Sequence, residues 1–229
     1  MKKFLFLFLS AIVLTSCEKS VEFNNPAFQG LIDNSIWKAT NFSATKSTSG
    51  EITITGNAAA EKVELKLNST ALGTRILGTT NTLNFASYKL ENVASNFNYT
   101  TGITSSPVNR ITLSASGTGY ATSNLVTTLG GSGTGLKVDI IANANGVVTS
   151  VLVNAPGNNY RAGNLVTIAS GNSNATFIVQ NVTNSNGEVT ITEYDGATIS
   201  GNFKFTAYDA GNSKTASCRD GVFYKIPVN

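Results

Sequence analysis

Strict alternation of apolar and polar residues is the feature that most limits the folds open to this chain. In the run 199–207, apolar or small residues stand at every odd position and polar residues at every even position, and 63–67 repeat the pattern. Successive side chains of a β-strand point to opposite faces, so this pattern indicates strands that are buried on one side. Apolar stripes with the helical period nowhere extend beyond about two turns. The sequence therefore predicts an all-β protein.

Turn signals separate the predicted strands and favour antiparallel neighbours. Asn145 with Gly146 predicts a two-residue hairpin between strands at 136–142 and 147–153. Trp37, the single tryptophan of the chain, is expected to anchor the core. We predict an antiparallel β-sandwich of about eight strands. A closed β-barrel is the alternative, because evenly spaced short strands suit both architectures.

Residues 106–183 differ from the rest of the chain because they contain an internal repeat with an offset of 40. A Gly-x-x-Tyr element at 117–120 recurs at 157–160, and Asn-Leu-Val-Thr at 124–127 recurs at 164–167. Two copies are too few for an independent solenoid, so we predict a compact β insertion of about four to six strands. The segment resembles, over a short stretch, the Gly-Tyr-rich β repeats of phage tail and bacterial surface proteins.

The N-terminus carries the features of an export signal. Lys2 and Lys3 precede an apolar segment, and Leu14-Thr15-Ser16 leads directly to Cys17. A basic start, a short apolar run and small residues before a cleavage point are typical of a secretory signal, which is too short to span a membrane. The segment resembles a bacterial lipoprotein signal, which implies cleavage before Cys17 and acylation of its thiol. An ordinary secretory signal is the alternative.

The expected organisation of the N-terminal part follows from this signal. Residues 1–16 are predicted to be removed, and 17–27 to form a polar tether between a lipid anchor in the outer membrane and the folded part. Because Lys2 and Lys3 leave with the leader, the formal net charge falls from +3 to +1. So small a charge gives no electrostatic reason to expect a nucleic-acid partner. We expect a cell-envelope protein, on either the periplasmic or the external face.

The numbers of histidine and cysteine residues limit the catalysis, metal binding and disulfide formation open to the chain. The chain has no histidine, which excludes Ser-His-Asp catalysis, Cys-His catalysis and His-ligated zinc. Once Cys17 is acylated, Cys218 has no cysteine partner, so no intramolecular disulfide is possible. The expected role of Cys218 is that of a small buried hydrophobe, and a reactive thiol is the alternative. No cofactor and no metal is predicted.

Tyr120 and Tyr160 are the polar aromatic residues with the clearest functional interpretation. They hold equivalent places in the two repeats, and Asn124 and Asn164 follow them by four residues. Exposed rings and amides of this kind can stack on a sugar and hydrogen-bond its hydroxyl groups. In the alternative, each tyrosine fills a corner of its own hairpin and its hydroxyl bonds local backbone. These four residues are the predicted ligand-binding set.

Carboxylates support a second hypothesis. Glu193 and Asp195 are two positions apart, so a strand would point both the same way, and carboxylates roughly 5 to 9.5 Å apart can hydrolyse glycosidic bonds. A solvated hairpin end is the alternative, with Asp195 present for its turn-forming side chain.

Two further motifs do not support a binding site. At 209–212, two possible oxygen ligands are too few for a calcium site, and a turn is expected. The Gly-rich run 130–135 lacks the Gly-Lys-Ser/Thr ending of a phosphate-binding loop.

Segments near both ends of the chain resemble a family of uncharacterised Bacteroidetes lipoproteins. The C-terminal signature of that family is similar to residues 187–192, 199–207 and 220–223, followed by Ile226-Pro227. Residues 35–39, Ser-Ile-Trp-Lys-Ala, resemble its early Gly-x-x-Trp-x-Ala element.

Two positions depart from the family pattern. The resemblance also implies how the domain is organised. Arg75 stands where an aromatic residue is usual, and Cys218 stands where an apolar strand residue is usual. The resemblance implies that one β domain is built from 28–105 and 184–229, with 106–183 inserted between its halves. The family has no assigned activity, so the resemblance implies a class of protein and a cellular location but no mechanism.

Two functions of different classes are compatible with these observations. The first is a non-catalytic binding or structural module of the envelope, held by Cys17 and recognising a glycan or a protein. The second is a hydrolase that acts on polysaccharides through carboxylates such as Glu193 and Asp195. The absence of histidine and the small number of acids, 13 in the whole chain, favour the binding module.

Overall fold

The computed structural model describes four ranges of the chain: 27–78, 84–92, 95–102 and 104–229. Within these ranges the chain forms seventeen β-strands and no helix. Accordingly, no helix in this part of the chain has the length and apolar character needed to cross a membrane. The signal at 1–16, Cys17 and the tether up to residue 26 lie outside the described residues, so their assignments stay predictions.

The strands fall into three groups along the chain. Eight precede the Gly-rich middle: β1 (Ala27–Ile32), β2 (Ser35–Lys38), β3 (Asn41–Lys46), β4 (Ile52–Ala58), β5 (Glu61–Leu67), β6 (Gly73–Ile76), β7 (Phe85–Asn92) and β8 (Ser95–Thr100). Six lie in the middle: β9 (Val108–Ala115), β10 (Ser123–Gly130), β11 (Thr134–Ala142), β12 (Val148–Asn158), β13 (Leu165–Ile168) and β14 (Thr176–Val182). The last three are β15 (Asn186–Tyr194), β16 (Thr198–Asp209) and β17 (Lys214–Pro227).

Eleven strands from both ends of the chain form one antiparallel sheet. Its order is β2-β1-β17-β16-β8-β7-β5-β4-β3, with β15 beside β16 and β6 beside β15. The first and last strands are direct neighbours, since Phe28 on β1 pairs with Phe223 on β17. The alternation predicted for β16 is confirmed, because Phe203 and Phe205 are buried whereas Lys204 between them is exposed.

Phe28 lies at the centre of the core of this sheet. Its buried ring meets Trp37 and Phe203 edge-on, with ring centroids 5.4 Å apart in both pairs, and Phe223 lies 6.5 Å away. Aromatic pairs of this kind contribute about 0.5–1.5 kcal/mol beyond their area burial. Trp37 is only 3% exposed, which confirms its predicted role as a core anchor.

The six middle strands form a second antiparallel sheet in the order β12-β11-β10-β13-β14-β9. Its end strands, β9 and β12, lie side by side, so this sheet is a nearly closed barrel, whereas the larger sheet is a half-barrel. Buried side chains fill the barrel, among them Leu136, Val138, Ile168 and Phe177. The all-β antiparallel prediction is confirmed, and the curvature corresponds to the barrel form that the sequence left open beside the sandwich.

The barrel is arranged symmetrically about its middle. Adding 40 to the positions of β9, β10 and β11 leads to β12, β13 and β14. Exchanging the strands of each such pair gives the same strand order, read from the opposite end of the sheet. Thr128 and Ile168, which are 40 apart, pair with each other where β10 meets β13. The two repeats therefore face each other across an approximate two-fold axis at this pair.

The connection between β11 and β12 is longer than the two-residue turn predicted from Asn145 and Gly146. It spans 143–147, where the Asn143 N–H donates to the Val147 carbonyl and the Asn143 side-chain oxygen accepts from two backbone N–H groups. Within this connection only Gly146 has a positive φ, 73°. A two-residue type I′ turn needs positive φ at both central residues, and the Asn143 side chain instead stabilises a wider turn. The position of the predicted turn is right, and its predicted length of two residues is wrong.

The buried residues of the two cores come from different stretches of the chain. Those of the half-barrel lie within 28–99 and 189–226, and those of the barrel lie within 108–182. Deleting 106–183 and joining the flanks should therefore leave a folded half-barrel, whose cooperative unfolding Trp37 fluorescence will report, with the full chain as the control. A deletion variant without that transition would show that the half-barrel depends on the barrel. The division into host and insertion stays a prediction that this measurement tests.

Candidate functional site

The two repeat tyrosines are buried in the barrel. Tyr120 is 4% exposed and Tyr160 is 2% exposed. The Tyr120 hydroxyl donates to the Ile168 carbonyl at 3.3 Å and accepts from the backbone N–H groups of Asn174 and Ala175 at 3.0 and 2.8 Å. A ring in this position has no free face for a sugar to stack on, so the burial favours the structural role for both tyrosines.

Each tyrosine packs on the glycine loop of the other repeat. A Cβ placed on Gly171 would come within 2.9 Å of the Tyr120 ring, and one on Gly131 within 3.0 Å of the Tyr160 ring. Both glycines have positive φ, 53° and 74°, and they are 40 residues apart. The prediction that each tyrosine fills its own hairpin corner is therefore refined, because each ring also packs on the glycine loop across the two-fold axis.

The two repeat asparagines occupy different environments. Asn124 is exposed, whereas Asn164 is half-buried. The Asn164 side-chain oxygen accepts from the Ser132 N–H at 3.0 Å, the Ser132 hydroxyl at 2.8 Å and the Arg161 N–H at 3.0 Å. It therefore ties the 130–135 loop to the second tyrosine corner. The structure does not bring the four predicted residues together as an open site, and their assignment to a ligand stays a prediction.

The two carboxylates proposed for hydrolysis lie at a hairpin end. β15 ends at Tyr194, and both Glu193 and Asp195 are exposed. The Asp195 carboxylate accepts from the N–H groups of Thr198 at 2.6 Å and Ala197 at 2.8 Å. These two hydrogen bonds, led by that of Thr198, hold the pKa of Asp195 below its ordinary value. This geometry is that of a turn-closing side chain, as the alternative interpretation expected.

Asp209 likewise closes a turn, the one between β16 and β17. Its carboxylate accepts from the N–H groups of Gly211 and Asn212, from the Asn212 side chain, and from the Asn98 N–H on β8, at 2.8 to 3.1 Å. Burial acts to raise the pKa of Asp209, but these donors, with the Asn212 side chain first among them, outweigh burial and lower it. Its oxygens are engaged by the turn, and the expectation of a turn at 209–212 is confirmed.

The described part of the chain contains neither a cluster of metal-binding side chains nor a reactive thiol. No group of three or more His, Cys, Asp or Glu side chains lies close enough there to hold a metal ion. Cys218 is 2% exposed, and burial above all raises the pKa of its thiol to about 12. A thiol of that pKa carries almost no thiolate near neutral pH, so the predicted role as a buried hydrophobe is confirmed.

Two concave surfaces formed by the described residues are candidate binding sites, and the sequence predicted neither. The first, the sheet groove, crosses the outer face of β15, β16 and β17 with a volume of about 500 Å³ and continues into a second depression of about 390 Å³. The Glu188–Lys204 ion pair, 2.9 Å long, lies between the two depressions, and Arg219 lines the second. Because the Lys204 side chain is 65% exposed, this pair contributes little stability.

The second surface lies where the two sheets meet and has a volume of about 460 Å³. We call it the junction cleft. Its lining combines polar side chains of β8 and β16, of the segment before β9, and of the connection between β12 and β13: Asn98, Thr100, Ser105, Arg161, Tyr208 and Asp209. Ligand sites in proteins typically enclose about 300–1,000 Å³ and place a few polar groups around the ligand. The junction cleft therefore has the size and the polar groups of a small-molecule site.

A chain of contacts places Arg161 in the junction cleft. The backbone of Tyr160 pairs with Ser106, which lies between β8 and β9, through two hydrogen bonds of 2.9 and 3.1 Å. The next side chain, Arg161, donates from Nε to the Ser105 hydroxyl at 2.8 Å. The two partners are 56 residues apart, so no local pattern could have identified this contact. The repeat signal identified Tyr160 but not the residue that follows it.

Comparison with known proteins assigns a family and nothing more specific. The model of a family described as a domain of unknown function, DUF6252, matches residues 24–151 and 134–227. Together the two matches extend over most of the chain. No curated protein and no solved structure matches at a significant level. The prediction of an uncharacterised family is thus confirmed, whereas the Bacteroidetes lipoprotein origin and the repeat insertion stay predictions.

Proposed function

The chain belongs to the DUF6252 family, a family without an assigned activity, and we propose that it is a lipid-anchored, non-catalytic binding module of the cell envelope. The junction cleft is its ligand site in this proposal. The observation that carries it is the convergence of Asn98, Arg161 and Tyr208 on one cleft from three separate parts of the chain. Polar groups gathered in a cavity of this size are typical of ligand recognition.

The geometry of the carboxylates supports binding rather than hydrolysis. Of the two carboxylates proposed for hydrolysis, Asp195 uses its oxygens to close a turn and has a lowered pKa, and Asp209, which was not part of that pair, does the same. A glycosidase needs one carboxyl group with a raised pKa, so that it can donate a proton to the leaving oxygen. The two aspartates have the opposite property. A glycan remains the favoured ligand class, because the cleft is lined by hydroxyl and amide groups that can pair with sugar hydroxyls.

The lipid anchor is proposed from the N-terminal sequence. Lys2 and Lys3, the apolar run and Leu14-Thr15-Ser16 before Cys17 support cleavage and acylation at Cys17. Acylation would hold the module at the membrane, and the polar tether after it would separate the cleft from the lipid surface. The outer membrane of the envelope is the proposed location.

Replacing Cys17 tests the anchor. We expect Cys17→Ala to abolish incorporation of a fatty-acid probe and to leave an uncleaved precursor, because the acylated thiol is gone. Cys218→Ala is the matched control, since it removes the other cysteine of the chain, and it should label like the unaltered protein. Fatty-acid labelling of the Cys17→Ala variant would refute the lipoprotein assignment.

A glycan array probed with the full chain in detergent tests the cleft. We expect Asn98→Ala to weaken binding of any retained glycan by about threefold to tenfold, the value of one hydrogen bond. Asn202→Ala, an exposed asparagine of the sheet groove, should leave binding unchanged. Binding that is lost with Asn202→Ala and kept with Asn98→Ala would move the site to the sheet groove. An array without any retained glycan would contradict glycan recognition.

A further inference from the structure

We infer that the junction cleft binds an acidic saccharide, one that carries a uronic-acid carboxylate, through the guanidinium of Arg161. This inference rests on the proposed function and specifies its ligand. It follows from the way Arg161 is held, from the distribution of charge in the cleft and from the other lining groups.

Arg161 is oriented before any ligand arrives. Its backbone N–H donates to the Asn164 side chain at 3.0 Å, and its Nε donates to the Ser105 hydroxyl at 2.8 Å. Tyr160, immediately before it, is buried in the barrel and paired with Ser106. A guanidinium that is fixed through Nε still presents its two terminal nitrogens in one plane. That plane matches the two oxygens of a carboxylate, which is the geometry of a bidentate pair.

The charges of the cleft select for an anionic ligand. Arg161 is exposed, whereas Asp209, the other charged residue of the lining, is only 4% exposed. The Asp209 carboxylate also accepts hydrogen bonds from Asn98, Gly211 and Asn212. A ligand that enters the cleft therefore meets the guanidinium first. Among the described lining residues Arg161 is the only cation, and one guanidinium balances the single charge of one carboxylate.

The remaining lining groups suit a polyhydroxylated ligand. Asn98 is exposed, and Thr100 and Tyr208 are half-exposed. Their amide and hydroxyl groups can each donate and accept, as sugar hydroxyls do, and the tyrosine ring offers an apolar surface for the C–H groups of a sugar ring. A simple carboxylate would use Arg161 alone, whereas a uronic acid uses both the guanidinium and these neutral groups.

Isothermal titration calorimetry with matched sugars tests the inference. The full chain in detergent is titrated with short oligomers of galacturonate, glucuronate and mannuronate, each beside its carboxyl-reduced neutral counterpart. We expect at least one acidic oligomer to bind about tenfold or more tightly than its neutral counterpart, which corresponds to one charge-assisted hydrogen-bonded pair. Equal affinity for the acidic and neutral members of every pair would overturn the acidic class and leave the proposed function standing.

Variants of the two arginines locate the carboxylate. Arg161→Gln should remove the preference for the acidic member while leaving the affinity for the neutral member unchanged, and Arg161→Lys should restore part of the preference. Arg219→Gln, an exposed arginine of the sheet groove, is the control and should keep the preference. A preference that survives Arg161→Gln would overturn the assignment of Arg161. If neither member of any pair binds and the array retains no glycan, the proposed function itself fails.

Discussion

We expect Phe28→Ala to lower the free energy of unfolding by about 3–5 kcal/mol, the usual cost of truncating a buried phenylalanine to alanine. The ring is fully buried and lies edge-on to Trp37 and Phe203, so its removal leaves a cavity lined by aromatic faces that cannot close without moving β1. Domains of this kind are stabilised by only about 5–15 kcal/mol in total. The variant should therefore be close to unfolding at physiological temperature.

Chemical denaturation followed by Trp37 fluorescence measures this loss, because the single tryptophan lies in the same core. Ile36→Ala is the matched control, an apolar truncation on β2 whose side chain is 53% exposed. It should change the free energy of unfolding by less than about 0.5 kcal/mol. If Phe28→Ala costs no more than this control, the centre of the half-barrel core lies elsewhere.

A second large effect is expected at Tyr120, where the structural and the ligand-binding roles predict opposite results. Tyr120→Ala should cost about 3–5 kcal/mol, since it removes both the buried ring and the hydroxyl. Tyr120→Phe should cost about 1–3 kcal/mol, because the N–H groups of Asn174 and Ala175 lose their acceptor. The ligand-binding role instead predicts lost sugar binding with an almost unchanged melting temperature, most clearly in Tyr120→Ala combined with Tyr160→Ala.

Circular dichroism and Trp37 fluorescence together separate these outcomes. Circular dichroism reports both sheets, whereas Trp37 lies in the half-barrel core and Tyr120 in the barrel core. The Tyr120 variants should therefore lose strand signal at a lower temperature than the temperature at which the tryptophan signal changes. Asn124→Ala, an exposed member of the same predicted set, is the control and should melt like the unaltered chain. Unchanged melting of Tyr120→Ala would refute the structural role.

Local patterns in the sequence were sufficient to predict individual strands. The alternation at 199–207 predicted β16 because burial on one face depends only on the period of the pattern. The pairing of β1 with β17 was not predictable in this way, since Phe28 and Phe223 are 195 residues apart and meet only through the packed core. The same limit left the sandwich and the barrel as alternatives, because curvature is set by how strands pack and not by their alternation.

The candidate site shows the same division between local and distant information. The sequence identified Tyr160 through its repeat, and it identified the turn at 209–212 through its composition. It did not identify the junction cleft, because Arg161, Ser105 and Tyr208 come together only through contacts between distant segments. Single polar residues in loops carry no periodic signal, so only the folded structure reveals which of them share a cavity.

Because each tyrosine packs against the glycine loop of the other repeat, a single repeat is not expected to fold alone. A single copy contains one tyrosine and one glycine loop, but its tyrosine fits the loop of the other copy, as the contacts of Tyr120 with Gly171 and of Tyr160 with Gly131 show. One repeat by itself is thus half of a core. A chain carrying only one copy could complete that core only as a homodimer, with two molecules crossing over each other in the manner of a domain swap.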